Sequence, residues 1–246
     1  MTRVLLCDAD GCLFPSEEPA FVASAGVTNR LLAELGIDLR FEPEELKARA
    51  VGRNFRATAL DLAEQHGVAL AQEDLEPWVE EERRAVIAHL AEVLRPDREV
   101  IEPLTAIARH CELALVSSSA LARLDACLDA TGLAALFPPE VRFSAEDSLP
   151  VPTSKPDPAI YRHAGERLGV AGADALAVED SPSGARSAVA AGFPTLGNLV
   201  FVPEVERAER AAVLLDAGVE AIVDSWWEVS RRSRSSSGAA GRSPAR

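Results

Sequence analysis

Short apolar runs alternate with stretches of helical periodicity along most of the chain. The runs have the length of buried strands, and the stretches between them repeat apolar residues at helical spacing. The apolar runs predict strands at Val4–Asp8, Glu112–Ser117, Ala175–Glu179 and Ala221–Val223, with Pro194–Leu196 as a weaker candidate. Helices are predicted near residues 99–110, 119–131, 158–168, 183–191 and 204–217. This alternation indicates an α/β fold with a Rossmann-like parallel sheet covered by helices on both faces.

One connection is too long for this pattern. An ordinary strand-to-helix connection takes about 2–6 residues, whereas about 80 lie between the first strand and the helix before the second. Helical periodicity within this segment predicts helices at Phe21–Leu35, Phe55–Ala63 and Trp78–Leu94, with Pro43 as one of the interruptions. We therefore predict that residues 15–97 form an all-helical domain inserted into a core made of residues 1–14 and 98–229.

The end of the chain differs from everything before it. The last 17 residues, Ser230–Arg246, carry five arginines, no acidic residue and no large apolar side chain. Such a segment cannot bury enough surface to fold, so 230–246 are predicted to be a disordered basic tail. A solvated terminal arm is favoured over an arm that touches RNA or a membrane.

Composition narrows the class of protein. The 246 residues include 25 Lys and Arg against 39 Asp and Glu, a formal charge of -14, which argues against nucleic acid as the main partner. No apolar run approaches the ~20 residues of a membrane helix, and the N-terminus becomes acidic too early for a signal peptide. The four cysteines show no CxxC spacing, which favours buried free thiols. We expect a cytoplasmic globular protein, a monomer or weak dimer, with no membrane partner.

Polar motifs follow the predicted strands. They are Asp8-Ala9-Asp10-Gly11 after the first, Ser117-Ser118-Ser119 after the second, Ser154-Lys155-Pro156-Asp157 in a stiff loop, and Glu179-Asp180 after the strand at 175–179. Open α/β sheets bind ligands at the carboxyl ends of their strands. Paired carboxylates need a cation or a proton between them, and N–H groups at a strand-to-helix turn favour an anion. Each motif alone is also explained by helix capping or a solvated charge.

In this order, the motifs resemble those of the haloacid dehalogenase superfamily of phosphotransferases. The resemblance covers residues 3 to about 223, and the insertion lies where subfamily I of that superfamily has its helical C1 cap. Ser16-Glu17 and the run from Glu179 to Gly184 resemble the branch of sugar-phosphate phosphatases, such as 6-phosphogluconate phosphatases, and β-phosphoglucomutases. The resemblance implies a Mg²⁺-dependent phosphatase that acts on a small phosphorylated metabolite.

The resemblance also implies roles for the motif residues. Asp8 would be the nucleophile that forms an aspartyl-phosphate, and Asp10 the general acid and base. Ser117 and Lys155 would bind the transferring phosphoryl oxygens. The Mg²⁺ ligands would be Asp8, the backbone carbonyl of Asp10, Asp180 and, directly or through water, Glu179.

Further substrate contacts are expected at the edge of this set. Gly11 and Ser118 would offer backbone N–H groups to the phosphoryl oxygens. In the insertion, Gly52 and Arg53 resemble the substrate-specificity loop of the family, with Arg53 contacting a second anionic or hydroxyl group. A solvated helix-end charge is an equal alternative for Arg53.

Other functions fit the sequence less well. A β-phosphoglucomutase-like mutase shares all four motifs, but Ser16–Phe21 lacks the histidine usual there. Asp10 argues against dehalogenation, because the dehalogenases of this superfamily lack that carboxylate. A phospho-acceptor signalling receiver would be about half this length, and the intact motif set argues against a silent binding protein. Cys12 and Pro15 depart from the common pattern and weaken the assignment to a branch more than the mechanism.

Overall fold

A computed structural model describes residues 3–50 and 54–235, and its centre is a six-stranded sheet. The strands are β1 (Val4–Cys7), β2 (Glu112–Ser117), β3 (Arg142–Ser144), β4 (Ala175–Glu179), β5 (Thr195–Asn198) and β6 (Ala221–Val223). Their order across the sheet is β3-β2-β1-β4-β5-β6, and every neighbouring pair is parallel. The predicted α/β class with a parallel sheet is confirmed.

Helices occupy most of the remaining chain. They are α1 (Glu17–Glu34), α2 (Pro43–Arg49), α3 (Phe55–Gln65), α4 (Gln72–Val93), α5 (Arg98–Ala108), α6 (Leu121–Thr131), α7 (Ala159–Leu168), α8 (Pro182–Ala190), α9 (Arg207–Asp216) and α10 (Trp226–Ser235). Within residues 3–50 and 54–235, no helix combines the length and the apolar character needed to cross a membrane.

The centre of the sheet lies at β1. Its residues are buried, and alternate positions face opposite sides, so that Val4 and Leu6 pack with Val116 of β2 and Tyr161 of α7. The order of strands along the chain reverses between β1 and β4. The carboxyl ends of these two strands therefore form the topological switch point at which open α/β sheets bind ligands.

The chain divides into two compact units. One is Met1–Pro15 with Arg95–Arg246, and the other is Ser16–Leu94. The second unit contains α1 to α4, and small clusters such as Leu31 with Leu75 hold these helices together. The insertion was predicted at residues 15–97. The observed unit starts one residue later and ends three residues earlier.

Two helices in the helical unit differ from the prediction, and each contains a proline. Pro43 was expected to interrupt the segment, but it is the first residue of α2, where its missing N–H costs nothing. Glu42 and Glu45 form a capping box at the same helix end. Helix α4 starts at Gln72 rather than Trp78 and contains Pro77.

The predicted tail begins too early. Helix α10 continues through Ser235, and four residues at helical spacing are buried along one face of it: Trp226, Val229, Ser230 and Ser233. Two of the four are small serines, so composition gave no sign of a packed helix. The remainder of the predicted tail, residues 236–246, lies outside the described residues.

Candidate active site

Three carboxylates meet at the carboxyl ends of β1 and β4. Asp8 follows β1 directly, and its N–H donates to the carbonyl of Val178 at 3.0 Å, so the sheet still holds its backbone. Glu179 is the last residue of β4, and Asp180 follows it. All three side chains are buried, and one oxygen of each lies within 4.8 Å of the others. Carboxylates that follow two different strands in the sequence are therefore neighbours in space.

Lys155 lies between two of these carboxylates. Its Nζ donates to Asp8 Oδ1 at 2.5 Å, to Glu179 Oε1 at 2.6 Å and to the carbonyl of Val116 at 2.8 Å. The hydroxyl of Ser118 accepts the Lys155 N–H at 3.1 Å and so ties the lysine loop to the end of β2. Although burial alone would lower the pKa of Lys155, the two carboxylates outweigh it and raise the pKa above its ordinary value. The lysine is therefore a fixed positive charge.

Asp8 lies in a difficult electrostatic environment. Burial first, and then the Glu179 carboxylate, raise the pKa of Asp8 to about 8 against the opposing effect of Lys155. A carboxylate must be ionised to attack phosphorus or to bind a metal. A further positive charge beside Asp8 would therefore favour its ionised form.

Tyr161 of α7 completes the network, and sequence reasoning missed it. Its hydroxyl donates to Glu179 Oε1 at 2.5 Å, and Lys155 Nζ lies 5.2 Å from the centre of its ring. Burial first, and then Glu179, raise the pKa of Tyr161, so the hydroxyl stays a neutral donor. The only signal in the sequence was a tyrosine on the apolar face of a predicted helix. A hydroxyl buried there needs a hydrogen-bond partner, but the sequence does not show which one.

Two glycines allow the carboxylates to lie this close to the backbone. Gly11 has φ +75°, and a Cβ there would lie 2.3 Å from Asp180 Oδ2. A Cβ on Gly184, in the first turn of α8, would lie 1.8 Å from Glu179 Oε2. A side chain at either position would therefore force the carboxylate to move.

Asp10 is held by side chains of the segment that follows β2. Ser119 Oγ donates to Asp10 Oδ2 at 2.7 Å, and Arg123 Nη2 donates to Asp10 Oδ1 at 2.6 Å. Arg123 was not predicted, because it lies inside α6 and belongs to none of the motifs. It lies four residues after Ser119, inside the helix predicted near 119–131, which is a weak signal in the sequence alone.

The structure also places two of the remaining predicted contact residues. Ser117 is buried, and its Oγ accepts the N–H of Ser119 at 3.0 Å. The N–H of Gly11 donates to the carbonyl of Phe14 at 3.0 Å, and its contact with a phosphoryl group stays a prediction. Gly52 and Arg53 lie outside the described residues.

The donor set fits a hard divalent cation. Asp8, Glu179 and Asp180 present only carboxylate oxygens, which Mg²⁺ prefers. Glu179 Oε2 is buried and accepts no hydrogen bond from the described residues, so a cation within reach would satisfy it. Lys155 supplies one positive charge to a cluster of three acids, and a divalent ion would supply two more.

Comparison with known proteins identifies the family. Residues 2–192 match the family model of the haloacid dehalogenase-like hydrolases. The chain belongs to this family. It is 30% identical over 197 residues to the 6-phosphogluconate phosphatase of Escherichia coli strain K12, which covers 78% of this chain and 81% of that protein. The predicted family and the predicted enzyme class, a haloacid dehalogenase-type phosphatase, are confirmed.

Solved structures of the family agree with this fold. A haloacid dehalogenase family hydrolase from Deinococcus radiodurans R1, with bound phosphate and sodium, is 26% identical, with a TM-score of 0.65 and coverage of 93% of each chain. A putative β-phosphoglucomutase from Thermotoga maritima is 25% identical, with a TM-score of 0.69 and coverage of 94% of this chain and 99% of that one. The sheet and the helical insertion are thus part of a fold shared along almost the whole chain.

Proposed function

We infer that this haloacid dehalogenase-like hydrolase is a Mg²⁺-dependent phosphatase that hydrolyses small sugar or sugar-acid phosphate monoesters through an aspartyl-phosphate. One observation carries the inference: buried Asp8 is held by Lys155 beside Glu179 and Asp180, with Asp10 two residues away. The name of the Escherichia coli relative supports a sugar-acid phosphate as the substrate class.

The proposed reaction has two displacements. In the first, an oxygen of Asp8 attacks phosphorus, the bond to the ester oxygen breaks, and Asp10 gives its proton to the leaving alcohol. In the second, Asp10 takes a proton from water, which attacks the aspartyl-phosphate, releases inorganic phosphate and restores Asp8. Lys155, with Ser117 at the end of β2, is proposed to stabilise the charge on the phosphoryl oxygens. Ser118 holds the Lys155 loop and would also face this group.

Mg²⁺ would be held by Asp8, the backbone carbonyl of Asp10, Asp180 and Glu179. When bound, it supplies positive charge that offsets the repulsion between these carboxylates and a phosphate dianion. Glu179 Oε1 already accepts from Lys155 and Tyr161, so we propose that Glu179 orients the lysine as well as contributing to the metal site.

The helical unit Ser16–Leu94 is proposed to act as a cap that excludes water and selects the substrate. Gly52 and Arg53 remain the proposed specificity residues within it. A cytoplasmic location and a monomer or weak dimer remain predictions.

A panel of phosphorylated metabolites, assayed for phosphate release with and without Mg²⁺, tests the function. We expect release from sugar or sugar-acid monoesters, loss of release on chelation, and loss in Asp8→Asn. Release of phosphate from p-nitrophenyl phosphate by Asp8→Asn at the wild-type rate would show that Asp8 is not the nucleophile.

A phosphosugar mutase is the second candidate, and the likeness to the putative β-phosphoglucomutase supports it. Incubation with β-glucose 1-phosphate and a trace of the bisphosphate separates the two activities. A phosphatase releases inorganic phosphate, whereas a mutase forms glucose 6-phosphate without releasing it.

A further inference from the structure

The carbonyl of Cys12 receives hydrogen bonds from two side chains that lie far from it in the sequence. Trp226 Nε1 donates at 3.2 Å, and Asn198 Nδ2 donates at 3.3 Å. Cys12 lies two residues after Asp10, in the turn that follows β1. We propose that Trp226 is a positioning residue, which acts through the Cys12 carbonyl to fix the turn that carries Asp10. The inference rests on the proposed function, because that function gives Asp10 its role.

Local hydrogen bonds give the turn its shape. The N–H groups of Cys12 and Leu13 both donate to the carbonyl of Ala9, at 3.2 and 2.8 Å. Asp10 forms a parallel bridge with Phe14. These contacts all lie within the turn, so they set its shape and not its orientation on the sheet. The orientation is set by contacts that leave the turn, among them those of Cys12.

Cys12 is anchored on three different elements. Its Sγ donates to the carbonyl of Val178 in β4 at 3.6 Å. Asn198 is the last residue of β5, and Trp226 is the first residue of α10. All four residues are fully buried, so water cannot replace a donor that the Cys12 carbonyl loses. The contacts of Cys12 therefore tie the turn to the sheet and to the last described helix at once.

Trp226 is itself held firmly, as a positioning residue must be. It is the largest fully buried side chain among the described residues. Val229 and Ser233 continue the buried face of α10, and His110 Nε2, just after α5, lies 3.3 Å from Ser233 Oγ. The helix is thus fixed along its length, and its first residue presents the indole N–H to the turn in one defined place.

A displaced turn would affect both contributions proposed for Asp10. Its backbone carbonyl is a proposed Mg²⁺ ligand, and its carboxyl group is proposed to take part in both displacements. Replacing a residue that orients a metal ligand typically costs about 10- to 100-fold in metal affinity or activity. Because Trp226 is fully buried and cannot touch the substrate, its loss should lower kcat and Mg²⁺ affinity rather than raise KM.

The experiment compares Trp226→Phe, which keeps an aromatic ring and removes the N–H, with Val229→Ala in the same helix. Val229 is also fully buried, but its side chain has no hydrogen-bonding group, so Val229→Ala loosens α10 without removing a donor from the turn. Asn198→Ala removes the second donor from β5 and keeps the proposal testable if Trp226→Phe does not fold. Calorimetric titration with Mg²⁺ alone gives its Kd, and phosphate release from p-nitrophenyl phosphate at saturating Mg²⁺ gives kcat and KM.

We expect Trp226→Phe to lower kcat by about 10-fold and raise the Kd for Mg²⁺ by about 5-fold, with KM changed by less than about 2-fold. Asn198→Ala should shift the same constants in the same direction. The double variant should lose more than the product of the two single losses, because the buried carbonyl then keeps neither donor. Val229→Ala should lower the melting temperature but leave kcat, KM and the Kd for Mg²⁺ within about 2-fold of the wild type.

Three results would overturn the proposal. Unchanged kcat and Mg²⁺ affinity in both Trp226→Phe and Asn198→Ala would show that the contact is not used. Equal kinetic losses in Val229→Ala and Trp226→Phe would assign Trp226 a role in folding alone. A rise in KM with kcat and Mg²⁺ affinity unchanged would place its effect in substrate binding. In each case phosphate release by the wild type would leave the proposed function standing, whereas a wild type that binds Mg²⁺ and releases no phosphate would refute that function.

Discussion

Lys155 and Arg56 each pair with a glutamate, but in opposite surroundings. In the sheet-containing unit, the Lys155 side chain is 5% exposed and its partner Glu179 is fully buried. In the helical unit, Arg56 binds Glu76 through two hydrogen bonds, of 2.5 and 2.8 Å, yet the two side chains are 31% and 51% exposed. Geometry alone would rank the arginine pair higher. Burial reverses the ranking, because water screens the exposed pair and cannot replace a missing partner in the buried one.

The largest effect on the buried pair is expected for Lys155→Met. Removing the ammonium leaves Asp8 and Glu179 as buried acids without their shared cation, so we expect the free energy of unfolding to fall by about 3 kcal/mol. Phosphate release should fall by about 100- to 1000-fold, because a charge on the phosphoryl oxygens is lost. Urea unfolding in the presence of a chelator and a phosphate assay measure the two effects. A stability loss below about 1 kcal/mol would mean that burial adds little to this pair.

Gly184→Ala tests how tightly the buried cluster is packed. Alanine normally stabilises a helix relative to glycine by about 1 kcal/mol, but here its Cβ would lie 1.8 Å from Glu179 Oε2. We expect a loss of about 2 kcal/mol and reduced activity, since the carboxylate must move.

The control for this substitution is Gly26→Ala in α1, where a Cβ would meet nothing closer than Arg30 Nη1 at 3.8 Å. It should raise stability by up to about 1 kcal/mol. The same sign in both variants, measured by urea unfolding, would contradict the steric argument.

Tyr161→Phe removes one hydrogen bond from the buried cluster and keeps the ring beside Lys155. Because the lost bond is to a carboxylate, we expect a stability loss of about 2 kcal/mol. Activity should fall about 10-fold, with a higher Mg²⁺ concentration needed for half-maximal rate, because Glu179 is less well oriented. Thr195→Val, which removes a buried hydroxyl bonded to the Phe193 carbonyl, is the control. It should lower stability without shifting the Mg²⁺ dependence; an equal shift would mean that Tyr161 has no particular role at the site.

The sequence predicted those elements of the fold that have a clear apolar pattern. Strands β2, β4 and β6 have the predicted bounds, because each is a short apolar run in a parallel sheet. Strand β3 was missed, since its three residues are too few to form a pattern and are ordered by pairing with β2. Helix α10 was missed because two of its buried positions are serines.

At the site, the sequence located the residues that follow strand ends and missed those that reach it from helices. Asp8, Glu179 and Asp180 were predicted to meet because parallel strands end at one edge. Arg123 and Tyr161 lie inside α6 and α7, so their contacts depend on how each helix packs rather than on a local motif. Which oxygen of Asp10 each donor binds is likewise a property of the packed structure alone.

The smallest effect is expected for Arg56→Met, which removes the exposed ion pair with Glu76. The bidentate geometry favours the pair, but each side chain loses conformational entropy and water screens the charges. We expect the melting temperature to change by less than about 3 °C, and the difference to vanish in high salt as screening increases. The melting temperature of Lys155→Met should stay below that of the wild type at both salt concentrations, because solvent ions do not reach the buried pair. A large, salt-independent loss in Arg56→Met would show that geometry rather than burial sets the strength of these pairs.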